Sequence, residues 1–290
     1  MLMAAENYSI RNISGVDGMS LALHSWLPSL ASEVRGALFY VHGIQSHAGW
    51  LFETGPELAH RRVAVYALDR RGSGRSGGRR GDLPSPDVIM DDYRAGLADV
   101  RERTAGLPLT VLGQSFGGSI VAALAARPGG IDADQLVYCT PALGQHAARH
   151  DAQRLAELRA QTGVEHSALA LTDEDYTDND RYLQFMANDH LMLRQVTGRG
   201  RATMVSLEDA HLSRRSETAI PVHLVRTARD PIIALDVAER VLGMLHGQHE
   251  TLTAPIRHHY VEFSSYRREY WDWLAALVVP DPMARWRVRS

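Results

Sequence analysis

Residues 109–119, Leu-Thr-Val-Leu-Gly-Gln-Ser-Phe-Gly-Gly-Ser, are the stretch best suited to do chemistry, with Gly-x-Ser-x-Gly at positions 113–117. The bare pattern is weak; its setting is informative. An apolar run precedes it, and a helical stretch rich in small residues, 119–126, follows. Strand, tight turn and helix in that order form an elbow. The glycines leave room where β-carbons would crowd the turn, so Ser115 is pushed out at the end of its strand. The amide of the next residue then points at the reacting oxygen. A serine hydroxyl has a pKa far above neutral, so it needs a base, and the base needs an acid to orient it.

An acid is expected at the end of a later strand. Residues 221–227 read as such a strand and run into Ala228-Arg229-Asp230-Pro231, which makes Asp230 the leading candidate. Its rival, Asp236, falls inside the following helix. The base is sought after the last strand, among His246, His249, His258 and His259. His246 and His249 flank Gly247 at a helix end, a setting for capping or surface residues. His258 and His259 precede the final amphipathic helix, as a base should. In extended chain, adjacent side chains point to opposite sides, so only one of this pair can face Ser115.

The elements that must position these residues alternate. Short β-rich runs lie at 21–27, 36–41, 63–68, 109–112, 136–139 and 222–225. Helical runs lie at 51–62, 87–104, 116–127, 235–245 and 266–279. Continuous apolar runs are expected of strands buried on both faces. Strand–helix alternation predicts a mostly parallel α/β sheet with helices on both faces. Residues 143–216 break this rhythm. They offer no convincing strand, two helical stretches at 153–161 and 182–196, and an acidic stretch with Asp173, Glu174, Asp175, Asp178 and Asp180. A structureless loop of that length is uncommon. The expected organisation is a core in two parts, 1–142 and 217–290, around a helical cap at 143–216 with its acidic part facing water.

Composition narrows the functions available. The 290 residues are 45% apolar and 22% charged, with 34 acids against 31 bases and a net charge of −3. That balance gives no general attraction to nucleic acid or to an anionic membrane. Every base is arginine, which excludes lysine Schiff-base chemistry. The single cysteine, Cys139, excludes an intramolecular disulfide and sits in an apolar run that reads as packing. No run approaches the ~18 apolar residues of a spanning helix. The start, Met1 to Asn7, has no basic stretch and turns polar at once, unlike a secretory signal, so a cytoplasmic protein without stable membrane insertion is expected. No motif implies a metal or an organic cofactor.

The order Ser, Asp, His is that of an α/β-hydrolase. With these residues assembled, the chain resembles that superfamily, and within it the monoacylglycerol lipase and lysophospholipase group. Residues 40–50, Tyr-Val-His-Gly-Ile-Gln-Ser-His-Ala-Gly-Trp, resemble the family's His-Gly oxyanion loop. Residues 67–76, Ala-Leu-Asp-Arg-Arg-Gly-Ser-Gly-Arg-Ser, resemble its Asp-x-Arg-Gly-x-Gly-x-Ser turn. Residues 259–263, His-Tyr-Val-Glu-Phe, resemble its catalytic-histidine segment. The resemblance implies an oxyanion hole made by the backbone N–H groups of Ile44 and Phe116, with His42 holding the loop. It also selects His259 as the base, four residues before Phe263. Arg70, Arg71, Arg79 and Arg80 read as a basic cluster, either pairing with local acids on a solvated loop or recognising an anionic group.

The function expected is a serine hydrolase that cleaves a carboxylic ester or thioester, small or carrier-bound, through an acyl-enzyme on Ser115. An acyltransferase on the same three residues, or a non-catalytic binder on the same fold, are the alternatives. A serine at the elbow argues against epoxide hydrolases and dehalogenases, which place aspartate there.

Overall fold

In the computed structural model, which describes residues 7–217 and 219–279, the apolar runs form the interior of one eight-stranded sheet. In chain order the strands are β1 (Tyr8–Ser14), β2 (Ser20–Trp26), β3 (Gly36–Val41), β4 (Val63–Leu68), β5 (Leu109–Gln114), β6 (Gln135–Cys139), β7 (His166–Ala168), β8 (Gln195–Thr197), β9 (Val222–Thr227) and β10 (Glu250–Ala254). The main sheet runs β1-β2-β4-β3-β5-β6-β9-β10. The β1–β2 and β2–β4 pairs are antiparallel, and every pair from β4 to β10 is parallel.

Every residue of β3, β4 and β5 is buried, which is why these strands read as unbroken apolar runs. The two edges differ. β1 and β10 are mostly exposed and polar, and they left no apolar signature in the sequence. The N-terminal run weighed above lies, through Glu6, outside the described residues.

The helices are α1 (Thr54–His60), α2 (Pro86–Arg103), α3 (Phe116–Ala126), α4 (Gln145–Arg149), α5 (Ala152–Arg159), α6 (Asp180–Asn188), α7 (Gly198–Leu212), α8 (Leu235–His246) and α9 (Arg267–Val278). One expectation is corrected at α1. The single helix read over 51–62 is a 3₁₀ turn, Ala48–Leu51, followed by the shorter α1. Pro56 has no N–H to bond back to Phe52, so it is tolerated only in a first turn.

Residues 143–216 hold α4, α5, α6 and α7, and also two strands that the sequence reading did not find. β7 and β8 pair antiparallel, apart from the main sheet. At three residues each they are too short to leave a periodicity. The helix read over 182–196 ends at Asn188, where Asp189 turns the chain by accepting from the Leu191 N–H at 2.9 Å. Glu174, Asp178 and Asp180 of the acidic stretch are exposed. Asp173, by contrast, pairs with Arg194, and Asp175 accepts from the Thr172 N–H. The segment is fastened to the core by a buried aromatic cluster that includes Trp50, Tyr176, Tyr182, Tyr260 and Phe263. The Tyr182 and Phe263 rings stack at 4.3 Å. No helix among the described residues is long and apolar enough to cross a membrane.

Candidate active site

Ser115 sits between β5 and α3 with φ 53° and ψ −120°, a backbone conformation that residues with side chains rarely adopt. Its neighbours hold it there. The Ser115 N–H donates to the Cys139 carbonyl at 3.0 Å, and the Ser115 carbonyl accepts from Gly118 and Ala142, each at 2.9 Å. A β-carbon at position 113 would lie 2.7 Å from the Gly117 carbonyl oxygen, and one at 117 would run into the Val41 carbonyl. The elbow therefore needs glycine at both places.

Asp230 follows β9, and His259 precedes α9. His259 Nδ1 lies 2.7 Å from Asp230 Oδ2, and both side chains are fully buried. Asp230 Oδ1 accepts from the N–H groups of Ile232 and Ile233 at 2.8 and 2.9 Å. Burial alone would raise the Asp230 pKa. The His259 ring and the two amides outweigh it and hold the carboxyl below its ordinary value, so it is ionised at neutral pH. An ionised carboxylate accepts, so His259 Nδ1 carries a proton directed at Asp230 and Nε2 is the ring nitrogen turned away from the acid. Nε2 meets the elbow: the Gln114 amide Nε2, one residue before Ser115, lies 3.4 Å away. The main chain of His259 is tied to the inserted segment, since its N–H donates to the Asp175 carbonyl at 2.9 Å and that of Tyr260 to the Tyr176 carbonyl at 3.1 Å.

The loop after β3 is held by the turn after β4. His42 is fully buried, and that burial, with the nearby Arg70 charge, pushes its pKa down to about 3, so the ring is neutral. His42 Nε2 accepts from the Arg70 N–H at 2.9 Å, so Nδ1 carries the proton and donates to the Gly43 carbonyl at 2.9 Å. Arg70, 1% exposed, donates from Nη1 to the same carbonyl at 3.0 Å and from Nη2 to the Ile44 carbonyl at 2.9 Å. With no cis peptide bond among the described residues, the Ile44 N–H must point away from the doubly held Gly43 carbonyl. Phe116 is the first residue of α3, so its N–H has no carbonyl one turn back. Asp69 completes the knot. Its carboxylate accepts from His24 at 3.0 Å and from the N–H groups of Ala48 and Arg75, each at 2.7 Å.

Ser115, Ile44 and Phe116 line one cavity of about 330 Å³. Its walls combine apolar side chains, among them Leu169, Leu171, Met204 and Ile233, with Arg149, Arg201, His146 and His150.

The other candidates lie elsewhere. Asp236 is exposed on α8. His246 Nε2 pairs with the Tyr138 hydroxyl at 2.8 Å, and His249 lies 4.0 Å from Glu239. His258 is half-buried, 3.8 Å from Asp178. The four arginines of the turn form no common patch. Arg70 is buried on carbonyls, while Arg71 pairs with Asp17 and Asp92 at 2.7 and 2.8 Å. Arg79 is exposed, and Arg80 donates to the carbonyls of Gly74 and Leu191. Sequence reading missed Gln114, the Arg70 clamp and Asp189. Asp189 is in the inserted segment and accepts from His47 Nε2 and Trp50 Nε1 at 2.9 and 2.8 Å. Neither His47 nor Trp50 signals a partner so far along the chain.

A serine elbow, a buried Asp–His pair and this sheet order define an α/β-hydrolase. A family model described as serine aminopeptidase, S33, matches residues 32–259, and the chain belongs to that family. It is 34% identical over 145 residues to a monoacylglycerol lipase of Mycolicibacterium smegmatis, across 50% of each chain. It is 30% identical over 119 residues to the monoglyceride lipase of Homo sapiens, across 41% of this chain and 39% of that one. The matched stretch thus spans half or less of the length of either relative. Among solved structures, a soluble variant of the Saccharomyces cerevisiae monoglyceride lipase superposes with a TM-score of 0.79 at 16% identity, over 96% of both chains. A carboxyl esterase from Bacillus coagulans gives 0.77 at 16% identity, over 93% of this chain and 97% of that one. At such identities the structural likeness speaks for the fold alone.

Proposed function

We propose that the protein is a serine hydrolase that cleaves carboxylic esters or thioesters through an acyl-enzyme on Ser115. The observation that carries this reading is the buried Asp230–His259 pair, whose Nε2 lies 3.4 Å from the side chain of Gln114, the residue before Ser115 at the strained elbow. In this mechanism the Ser115 oxygen attacks the substrate carbonyl and His259 Nε2 takes its proton. Asp230 holds the ring and stabilises the imidazolium. The tetrahedral oxyanion is bound by the N–H groups of Ile44 and Phe116; losing one such donor typically costs about 3–4 kcal/mol of barrier. His259 then gives the proton to the departing alcohol or thiol. Water, deprotonated by the same nitrogen, releases the acid and restores Ser115.

Residues 143–216 serve as a cap in this reading. Leu169, Leu171, Arg201 and Met204 of that segment line the Ser115 cavity. The apolar wall suits an acyl chain, and the relatives named as monoacylglycerol lipases support an ester as the bond cleaved. Intact-mass analysis after a fluorophosphonate probe tests the assignment. One adduct per chain, absent from Ser115→Ala, is expected. An adduct of equal yield in that variant would remove Ser115 from the mechanism.

A further inference from the structure

Two arginines stand on the wall of the Ser115 cavity. Arg149, Arg201, His146 and His150 line it together with the apolar side chains. His146, His150 and Arg201 also line an adjoining cavity of about 360 Å³, where Arg154 joins them. Among the described residues, no carboxylate lines either space. In a chain with more acids than bases, that is an uneven placement of charge.

The two arginines at the first cavity are satisfied by neutral groups. Arg201 Nε donates to the Ser167 hydroxyl at 2.8 Å and Nη2 to the Ala168 carbonyl at 2.6 Å. Arg149 donates to the Gln145 side-chain oxygen at 3.2 Å and to the Ile232 carbonyl. Among the described residues, neither has a carboxylate within ion-pair distance. The nearby acids are committed elsewhere. Glu208 is buried on the N–H groups of His146 and Ala147, Asp209 pairs with Arg159, and Glu157 pairs with Arg154. Arg201 is half-buried, and its desolvation is uncompensated by any opposite charge. Burial above all, with smaller contributions from His150, Arg149 and Arg201, pushes the His146 pKa down to about 4.

We propose that the site takes esters that also carry an anionic oxygen group, a carboxylate or a phosphate, seated against Arg149 and Arg201 on the wall of the Ser115 cavity. The inference rests on Ser115 being the nucleophile, and it names the substrate class of that site. A guanidinium presents paired N–H donors that match either anion, and the apolar wall takes the rest of the chain.

Two matched ester pairs separate the sources of charge. Hexanoylglycerol phosphate against hexanoylglycerol places a phosphate on the leaving group. The p-nitrophenyl hemiester of adipic acid against p-nitrophenyl hexanoate places a carboxylate on the acyl chain. In at least one pair the anionic ester should have the higher kcat/KM by about tenfold or more, as for a charge-assisted contact. That ratio should fall to near one or below in Arg149→Gln/Arg201→Gln. Neutral esters equal or better in both pairs, or a preference that survives loss of both arginines, would overturn the proposal. Calorimetric binding of the glycerol pair to Ser115→Ala reads the preference without turnover. Anion-selective binding with no fluorophosphonate adduct in the parent counts against the chemistry at Ser115 alone. An adduct without anion preference counts against the anion seat alone.

Discussion

Arg70 lies wholly inside the protein with its guanidinium on the carbonyls of Gly43 and Ile44, whereas Arg201, on α7, is half-buried and bonds to Ser167 and the Ala168 carbonyl at a cavity wall. Among the described residues, neither cation has a carboxylate within ion-pair distance. Around Arg70 the carbonyls of Gly43 and Ile44 are both held by hydrogen bonds, and the result is a fixed direction for one peptide plane. Around Arg201 there is open volume, other cations and apolar surface. The same side chain builds the scaffold in one place and stays available in the other. What separates the roles is whether space remains beside the charge.

The widest contrast should come at the chemistry itself. Ser115→Ala should lower ester turnover on the order of 10⁶-fold while leaving the melting curve near that of the parent. Turnover of p-nitrophenyl acetate at the parental rate would void the comparison, since neither arginine would then border a reacting centre.

Next in size is the scaffold arginine. Arg70→Met leaves the buried Ile44 carbonyl without a donor and the Gly43 carbonyl with His42 alone, at a cost of roughly 1–3 kcal/mol in stability. It also frees the Ile44 peptide, which should lower kcat by about 10²–10³ with little change in KM. Urea unfolding and steady-state kinetics read the two effects. Arg70→Lys should recover only part of either, because one ammonium cannot reproduce the guanidinium fork. Full recovery would reduce Arg70 to a filler of space.

The pH response separates the same two regions more finely. His42 in the knot and His146 at the cavity are held at about 3 and about 4, below the ordinary 6.5. Below pH 6.5 the unfolded chain binds protons that the folded chain refuses. Stability is therefore full above pH 6.5 and should fall as pH drops toward 4, by at most about 1.4 kcal/mol per pH unit for each such group. Urea midpoints across that range give the slope. Bound hexanoylglycerol phosphate should raise the His146 titration, followed by NMR, and leave His42 unmoved. A shift in both would mean that the knot and the cavity share one field.

The smallest expected change is at His258→Ala, which should keep activity within about tenfold, or ~1.4 kcal/mol of barrier. His259→Ala should lose nearly all activity and all fast fluorophosphonate labelling. The reverse result would exchange the two histidines and move the base to the outward side of the segment.

How much of this was legible in the sequence depends on burial. β3 and β4 begin and end where their apolar runs do, because both faces of each are covered. β1 and β10 escaped because an edge strand has little to bury. Asp230 and His259 could be singled out, since strand ends and motif spacing are local signals, and the structure brings them into contact. Arg70 was counted with its neighbours as part of a basic patch, because nothing local says that its partners lie on a loop 26 residues earlier. Arg149 and Arg201 come together only through the folding of residues 143–216, whose short strands and broken helices carry no strong period.

The two hydrogen bonds from the main chain of His259 and Tyr260 to the carbonyls of Asp175 and Tyr176 have a consequence for protein engineering. They make residues 143–216 a poor cassette. A graft that exchanges the whole segment to import another specificity would also remove the support of the residue proposed as the base, so kcat should fall even when the new pocket fits its ligand. Chimeras that keep residues 171–177 from this chain and exchange only the helices around them should retain turnover. The seam for recombination thus lies inside the segment and not at its ends.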